Sequence, residues 1–213
     1  MTDKQNSIDY LVSQDVLKFG TFTFNSGLQS PYFFNLGSVS SGAAYARLGA
    51  AYADAVLQSG IKFDLIFGPA YKGIPIAVAT SLALAERGVD VGVAYNRKEA
   101  KDHGEGGLLV GASVVGRVLM LDDVLTSGKA IRGAAELIRA QHADVAGVVV
   151  ALDRAEVMAD AGQTAVADLA QELAAPVVSI AHVTDVIGYL QKTDAESDVL
   201  QAMHDYTRQY CVL

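Results

Sequence analysis

The sequence predicts an α/β fold in which helices flank a mostly parallel, five-stranded sheet. Two observations support this class. Five apolar runs rich in β-branched residues occupy residues 63–67, 89–95, 118–121, 146–152 and 177–180. Stretches with alanine and leucine at helical spacing lie between them, such as residues 74–87 and 129–140. This alternation implies crossover connections and a parallel sheet, in which ligands bind beyond the carboxyl ends of the strands.

The two ends of the chain follow a different pattern. The first forty residues predict a short helix and an antiparallel hairpin, because residues 21–24 alternate in polarity, residues 25–27 read Asn-Ser-Gly, and residues 30–36 are again extended. Residues 184–210 predict one or two helices. We therefore expect a single domain over residues 1–213, in which residues 1–40 and part of the C-terminal tail form a hood over the site.

Composition excludes several classes of protein. The net charge of -8 argues against binding to nucleic acid or to an anionic membrane surface, because both require a broad basic surface. The longest apolar stretch, residues 146–152, is far shorter than the ~20 residues needed to cross a bilayer. No secretion signal is evident at the start, and Cys211 is the only cysteine, which suits a reducing compartment. We expect a cytoplasmic protein.

The stretch VLMLDDVLTSGKA, residues 118–130, predicts a buried strand, an acidic pair at its end and a helix N-terminus. A phosphate-binding P-loop is excluded, since Asp123 and Ala130 stand where it needs glycine and a hydroxyl residue. A receiver domain fits poorly, because too few residues follow Leu121. Adjacent carboxylates suit vicinal hydroxyls and helix N–H groups suit a phosphate, so we favour a ribose-phosphate site over a solvated strand end with a helix cap.

Two further segments indicate an anionic ligand. The loop of residues 68–73 links a predicted strand to a helix and carries Lys72 beside Gly73. Residues 95–111 include a basic cluster and three glycines within four positions, at 104, 106 and 107. Such a segment is usually a solvated hairpin, but in a transferase that must exclude water it has the traits of a lid. A metal site is the weaker alternative, since the acids and the single histidine there have no ligand spacing.

These motifs together resemble the bacterial orotate phosphoribosyltransferases, members of the type I phosphoribosyltransferases, along nearly the full chain. The matching segments, in the family's order, are LKFGTFTFNSG, SPYFFNLG, FDLIFGPAYKGIPIA, NRKEAKDHGEGG, VLMLDDVLTSGKAIR and ALDRAE. The resemblance implies transfer of ribose 5-phosphate from phosphoribosyl pyrophosphate to orotate, with Mg²⁺ held mainly by substrate oxygens and no dedicated protein ligand cage. It also implies a homodimer whose lid acts in the neighbouring subunit, and a cis peptide bond between Ala70 and Tyr71.

The resemblance also assigns site residues. The implied catalytic residues are Lys101, His103 and Asp123. Those implied to bind phosphoribosyl pyrophosphate are Tyr71, Lys72, Arg97, Lys98, Lys101, His103, Asp122, Asp123, Val124, Leu125, Thr126, Ser127, Gly128, Lys129 and Ala130. Those implied to bind orotate are Phe33, Phe34, Thr126 and Arg154. Taken alone, an aromatic pair is more typical of a core, and Arg154 could simply pair with Glu156.

The resemblance has one departure, in the hairpin turn. The family commonly has FTLKSGR there, whereas this chain has Asn25 in place of the lysine and Leu28 in place of the arginine. Two other hypotheses therefore stay open: a transferase of the same superfamily that acts on another base, and a nucleotide-sensing regulator that kept the fold and lost the activity.

Overall fold

The structure is a computed structural model, and it describes residues 3–24, 27–101, 107–125, 128–158, 162–193 and 197–213. Its central sheet has six strands in the order β5-β4-β3-β6-β7-β8. Five of the strands are parallel, and β5 pairs antiparallel with β4 at one edge. The strands are β3 (Leu65–Gly68), β4 (Gly92–Lys101), β5 (Gly107–Gly111), β6 (Arg117–Val124), β7 (Asp144–Asp153) and β8 (Val177–His182).

The predicted α/β class is confirmed, and the predicted strand count of five is one too low. The additional strand is β5, which pairs Leu109 with Asn96 and Val110 with Tyr95. Its sequence, Gly-Leu-Leu-Val-Gly, has only three apolar residues between two glycines and lies within residues 95–111, whose pattern is typical of a solvated hairpin or lid.

Helices cover both faces of this sheet. They are α2 (Gly42–Ser59), α3 (Gly73–Glu86), α4 (Lys129–Ala140), α5 (Ala165–Leu173) and α6 (Val183–Lys192). Strand β6 has the two buried faces that its apolar sequence predicts. Leu119 and Leu121 belong to the core on one side, whereas Met120 packs on the other side with Ile131 and Ile138 of α4.

The ends of the chain form the predicted helix, hairpin and tail helices: α1 (Asp3–Ser13), β1 (Leu17–Thr23) antiparallel to β2 (Gln29–Phe34), and α7 (Ser197–Tyr210) after α6. Helix α7 packs on the hairpin, where the ring of Tyr206 meets the ring of Tyr32 edge-on with centroids 6.1 Å apart. Among the described residues, no helix is long and apolar enough to span a membrane.

Candidate active site

The predicted acidic pair lies at the carboxyl end of β6, near the middle of the sheet. The backbone N–H of Asp123 donates to Asp122 Oδ1 at 2.9 Å, and the hydroxyl of Tyr52, buried in α2, donates to the carbonyl oxygen of Asp122 at 2.7 Å. Burial, together with the neighbouring Asp123 carboxylate, raises the pKa of Asp122 to about 7. Two hydrogen bonds therefore hold the strand end at this pair, and the pKa of one of its carboxyls lies near neutral pH.

Lys72 joins the acidic pair from the loop after β3. Its Nζ lies 2.6 Å from Asp123 Oδ2; the lysine side chain is 54% exposed and the aspartate side chain 11%. The loop packs so closely on β6 that a Cβ on Gly73 would lie 2.7 Å from the carbonyl oxygen of Leu121. Only glycine avoids this contact. The Ala70–Tyr71 peptide bond is cis, as predicted. Lys72 is thus placed where it can reach both a carboxylate and an incoming anion.

The N-terminus of α4 faces the same space. Gly128 precedes the helix with a positive φ of 66°, a conformation that suits glycine, and as the N-cap residue it offers no side chain to the first turn. Uncapped N–H groups at a helix N-terminus bind phosphate well. The predicted residues Lys129 and Ala130 are the first two of this helix and are exposed.

Strand β4 brings the basic cluster to the site. Lys98 Nζ lies 4.8 Å from the centroid of the Tyr71 ring, and Arg97 Nη1 donates to the carbonyl oxygen of Gly107 at 3.1 Å. Lys101 ends the strand, and its side chain is outside the described part of the structure. His103, Thr126 and Ser127 also lie outside the described residues.

These elements enclose a first cleft of about 730 Å³, which we call the donor cleft. Most of the residues assigned to phosphoribosyl pyrophosphate lie around it. The predicted residues that line it are Arg97, Lys98, Asp122, Asp123, Val124, Leu125, Gly128, Lys129 and Ala130.

A second cleft of about 940 Å³, the acceptor cleft, adjoins the first, and Val124 and Leu125 line both. The hairpin contributes Phe33 and Phe34, and Lys72 and Arg154 also face the cleft. Phe34 is buried in the core, while Phe33 is half-buried and stacks on Phe22 with ring centroids 5.4 Å apart. The aromatic pair thus serves both as core and as cleft lining.

Arg154 lies at the carboxyl end of β7 and has a side chain only 9% exposed. The ion pair with Glu156 considered from sequence is present: Nε donates to Glu156 Oε1 at 2.7 Å. The guanidinium carbon also lies 4.4 Å from the centroid of the Tyr32 ring. A largely buried, paired cation at the rim of an apolar cleft suits recognition of a flat, anionic molecule.

Sequence reasoning overlooked several residues that support the site. Asn96, whose Oδ1 accepts from the N–H of Ala70 at 3.0 Å, directly precedes the basic cluster and could have been found from its position near the end of a parallel strand. Tyr52 and Tyr206 reach the site from helices distant in sequence. No local motif marks them.

Comparison with known proteins agrees with this geometry. The family model described as phosphoribosyl transferase domain matches residues 37–166. The orotate phosphoribosyltransferase of Vibrio cholerae is 49% identical over 204 residues, covering 95% of each chain. That of Neisseria meningitidis serogroup C is 47% identical over 213 residues, covering 100% of each. A crystal structure of orotate phosphoribosyltransferase from Francisella tularensis superimposes with a TM-score of 0.87 at 35% identity, covering 96% of this chain and 98% of that one.

Fold and site thus define a phosphoribosyltransferase, a class of glycosyltransferase. The extent and identity of the full-length matches then specify the group within that class. The chain belongs to the orotate phosphoribosyltransferase family, as predicted.

Proposed function

We propose that the chain transfers ribose 5-phosphate from phosphoribosyl pyrophosphate to orotate, giving orotidine 5'-phosphate and pyrophosphate in the synthesis of UMP. The observation that carries this proposal is the pair of adjoining clefts. An acidic pair and a helix N-terminus line one cleft, and aromatic side chains with Arg154 line the other. A sugar phosphate in the first and a flat anionic base in the second would meet at Val124 and Leu125.

The chemistry requires positioning and charge stabilisation. Breaking the bond at the anomeric carbon leaves a cation-like sugar and a departing polyanion. Asp122 and Asp123 would accept hydrogen bonds from the ribose hydroxyls and oppose the developing positive charge. Lys72 is already beside Asp123 and half-exposed, so it can turn towards pyrophosphate oxygens. Lys101 and His103 are proposed to neutralise the leaving group as the catalytic residues of the lid.

Phosphoribosyltransferases generally use Mg²⁺ with phosphoribosyl pyrophosphate. The donor cleft fits this ion, because Asp122 and Asp123 offer the hard oxygen atoms that Mg²⁺ prefers. Mg²⁺ would add positive charge to the pyrophosphate oxygens. We propose that substrate oxygens and water supply most of its ligands, since Asp123 is already shared with Lys72.

We further propose a homodimer in which the lid acts in the neighbouring subunit. Helix α3 is apolar on both sides: its inner face is in the core, whereas Val78 and Leu82, one helical turn apart, are 44% and 65% exposed. A helix that is apolar all round is normally covered. Tyr71, 62% exposed, precedes this helix and has Lys98 Nζ of the donor cleft 4.8 Å from its ring centroid, so a second copy that extended from α3 to Tyr71 would lie beside the site.

The proposed domain organisation is one domain with a hood made by the hairpin and the C-terminal helix. Support comes from Phe24, Leu28, Phe33 and Phe34 of the hairpin, which line the acceptor cleft. We propose a cytoplasmic location and no nucleic-acid partner, in keeping with the net charge of -8.

One experiment tests the activity. Purified protein is mixed with phosphoribosyl pyrophosphate, Mg²⁺ and either orotate, uracil, adenine or hypoxanthine, and pyrophosphate release is followed for each base. Orotate alone should be consumed, with loss of its ultraviolet absorbance. Turnover of a purine in place of orotate would establish a transferase for another base. No turnover with any base would favour the hypothesis of a nucleotide-sensing regulator that has lost the activity.

A second experiment tests the lid. Lys101→Ala and Asp123→Ala should each abolish most activity as homodimers. Mixing the two after verified subunit exchange should restore activity, because a hybrid dimer contains one site with both an intact acidic pair and an intact partner lid. If no mixture of the two variants recovers activity, the hypothesis of a lid that acts in the partner's site is refuted.

A further inference from the structure

Tyr206 of α7, a residue far along the chain, contacts the two charged residues Arg154 and Glu156 that line the acceptor cleft. Its side chain is buried, and its hydroxyl donates to Glu156 Oε1 and accepts from Arg154 Nη2 at 3.3 Å. Burial and the Glu156 carboxylate raise the pKa of this hydroxyl, so it remains a donor at neutral pH. Tyr206 therefore links the C-terminal helix to both members of the ion pair in the cleft.

Arg154 is held from several sides. Nε and Nη2 both contact Glu156, at 2.7 and 2.5 Å, and Nη2 also donates to Ser30 Oγ at 3.4 Å. The guanidinium lies between the rings of Tyr32 and Phe24, with centroid distances of 4.4 and 4.8 Å. Within the described part of the chain, Nη1 makes no hydrogen bond. Among the described residues, the hydrogen bonds and the ion pair of this guanidinium thus involve Nε and Nη2.

The backbone around Arg154 is bound by the same end of the chain. The N–H of Val157 donates to the carbonyl oxygen of Tyr210 at 2.9 Å, and the N–H of Val212 donates to the carbonyl oxygen of Ala155 at 3.0 Å. These two bonds hold the segment that carries Arg154 and Glu156 against α7. Tyr206 is the side-chain part of the same attachment.

We propose that Tyr206 is a positioning residue that fixes Arg154, through Glu156, in the orientation that presents Nη1 to the anionic acceptor. Glu156 also lines the acceptor cleft, so its carboxylate is close enough to compete with an anion for the guanidinium. A hydrogen bond from the Tyr206 hydroxyl keeps Oε1 in place and partly offsets its charge. The effect of Tyr206 on binding of the acceptor rests on the proposed function, whereas its effect on the orientation of Arg154 does not.

The test compares Tyr206→Phe with Tyr210→Phe. Both remove one hydroxyl from α7 and keep the ring; the rings lie 5.2 Å apart, and the Tyr210 hydroxyl makes no hydrogen bond within the described residues. Tyr206→Phe should raise KM for orotate about tenfold, the scale of one charge-assisted hydrogen bond, while kcat and KM for phosphoribosyl pyrophosphate stay within about twofold. Tyr210→Phe should leave all three constants unchanged.

Hydrogen exchange at the Arg154 side chain separates the positioning role of Tyr206 from the proposed function. In protein labelled with nitrogen-15 arginine, the Nε–H signal that disappears in Arg154→Lys is assigned to Arg154, and its hydrogen exchange is measured. Exchange should be faster in Tyr206→Phe and unchanged in Tyr210→Phe. Equal behaviour of the two variants, or a parallel rise in KM for both substrates, would overturn the positioning role. Faster exchange in a protein that never consumes orotate would support positioning and refute the proposed function.

Discussion

Asp122→Asn should make the protein more stable and less active. Asp122 is largely buried beside a second carboxylate, and its pKa is raised from an ordinary value of 3.8 to about 7. Asparagine has nearly the same shape and keeps an oxygen that accepts the 2.9 Å bond from the N–H of Asp123. The substitution therefore removes the burial of a charge with little change in packing.

The pH dependence follows from where the proton binds. A carboxyl with a raised folded-state pKa binds its proton more tightly in the folded than in the unfolded protein, so the wild-type free energy of unfolding falls as pH rises from about 4 to about 7. Asparagine does not titrate. The stability gained by Asp122→Asn should be near zero at about pH 4, grow up to about pH 7 and stay constant above it. A raised pKa of this size corresponds to an upper limit of about 4 kcal/mol.

Urea unfolding at a series of pH values measures this difference. A matched control is Asp64→Asn, because the hydrogen bond from Arg117 lowers the pKa of the exposed Asp64 to about 2. This substitution should therefore change the free energy of unfolding in the opposite direction, as a loss of stability near neutral pH. Initial rates with both substrates should show a large loss of turnover in Asp122→Asn only. A variant that is destabilised equally at every pH would refute the assignment of a buried carboxyl with a raised pKa to this position.

Three further outcomes are expected. Lys72→Met should lower kcat about 100-fold in steady-state assays, because a cation beside the leaving group is lost; an unchanged kcat would exclude that role. Leu82→Glu should give monomers in sedimentation and little activity, whereas Val115→Glu, on an equally exposed apolar residue, should remain dimeric; two dimeric variants would refute the α3 interface. Gly73→Ala should lower the free energy of unfolding by about 1 to 3 kcal/mol in urea, because its Cβ has no room; unaltered stability would contradict the tight loop.

The parts of the fold that sequence predicts well are those where packing requires a simple pattern. Strand β6 is buried on both faces, so residues 118–121 are continuously apolar, and α4 begins and ends at the predicted residues. Strand β5 is a weaker case, because it has only three half-buried apolar residues between two exposed glycines at the edge of the sheet. So short a pattern does not distinguish a strand from a loop.

The same distinction applies to the site. Asp122 and Asp123 lie at the carboxyl end of β6, and Lys72 lies in the loop after β3, so local sequence and topology predict a shared location. Tyr52 and Tyr206 reach that location from helices 70 and 50 residues away from their hydrogen-bond partners. Tertiary packing alone brings them together, so no spacing in the sequence could reveal them.

The hydrogen bonds between residues 155–157 and residues 210–212 imply an order of assembly, because they cannot form before the end of α7 has been synthesised. The donor cleft draws on residues 69–137, which leave the ribosome early and can assemble as a sheet edge with its helices. The hydrogen bonds that hold Arg154 and its segment can form only after Tyr206 and Val212 have been added. We therefore expect the residues of the donor cleft to come together before the segment of Arg154 is held in its final place.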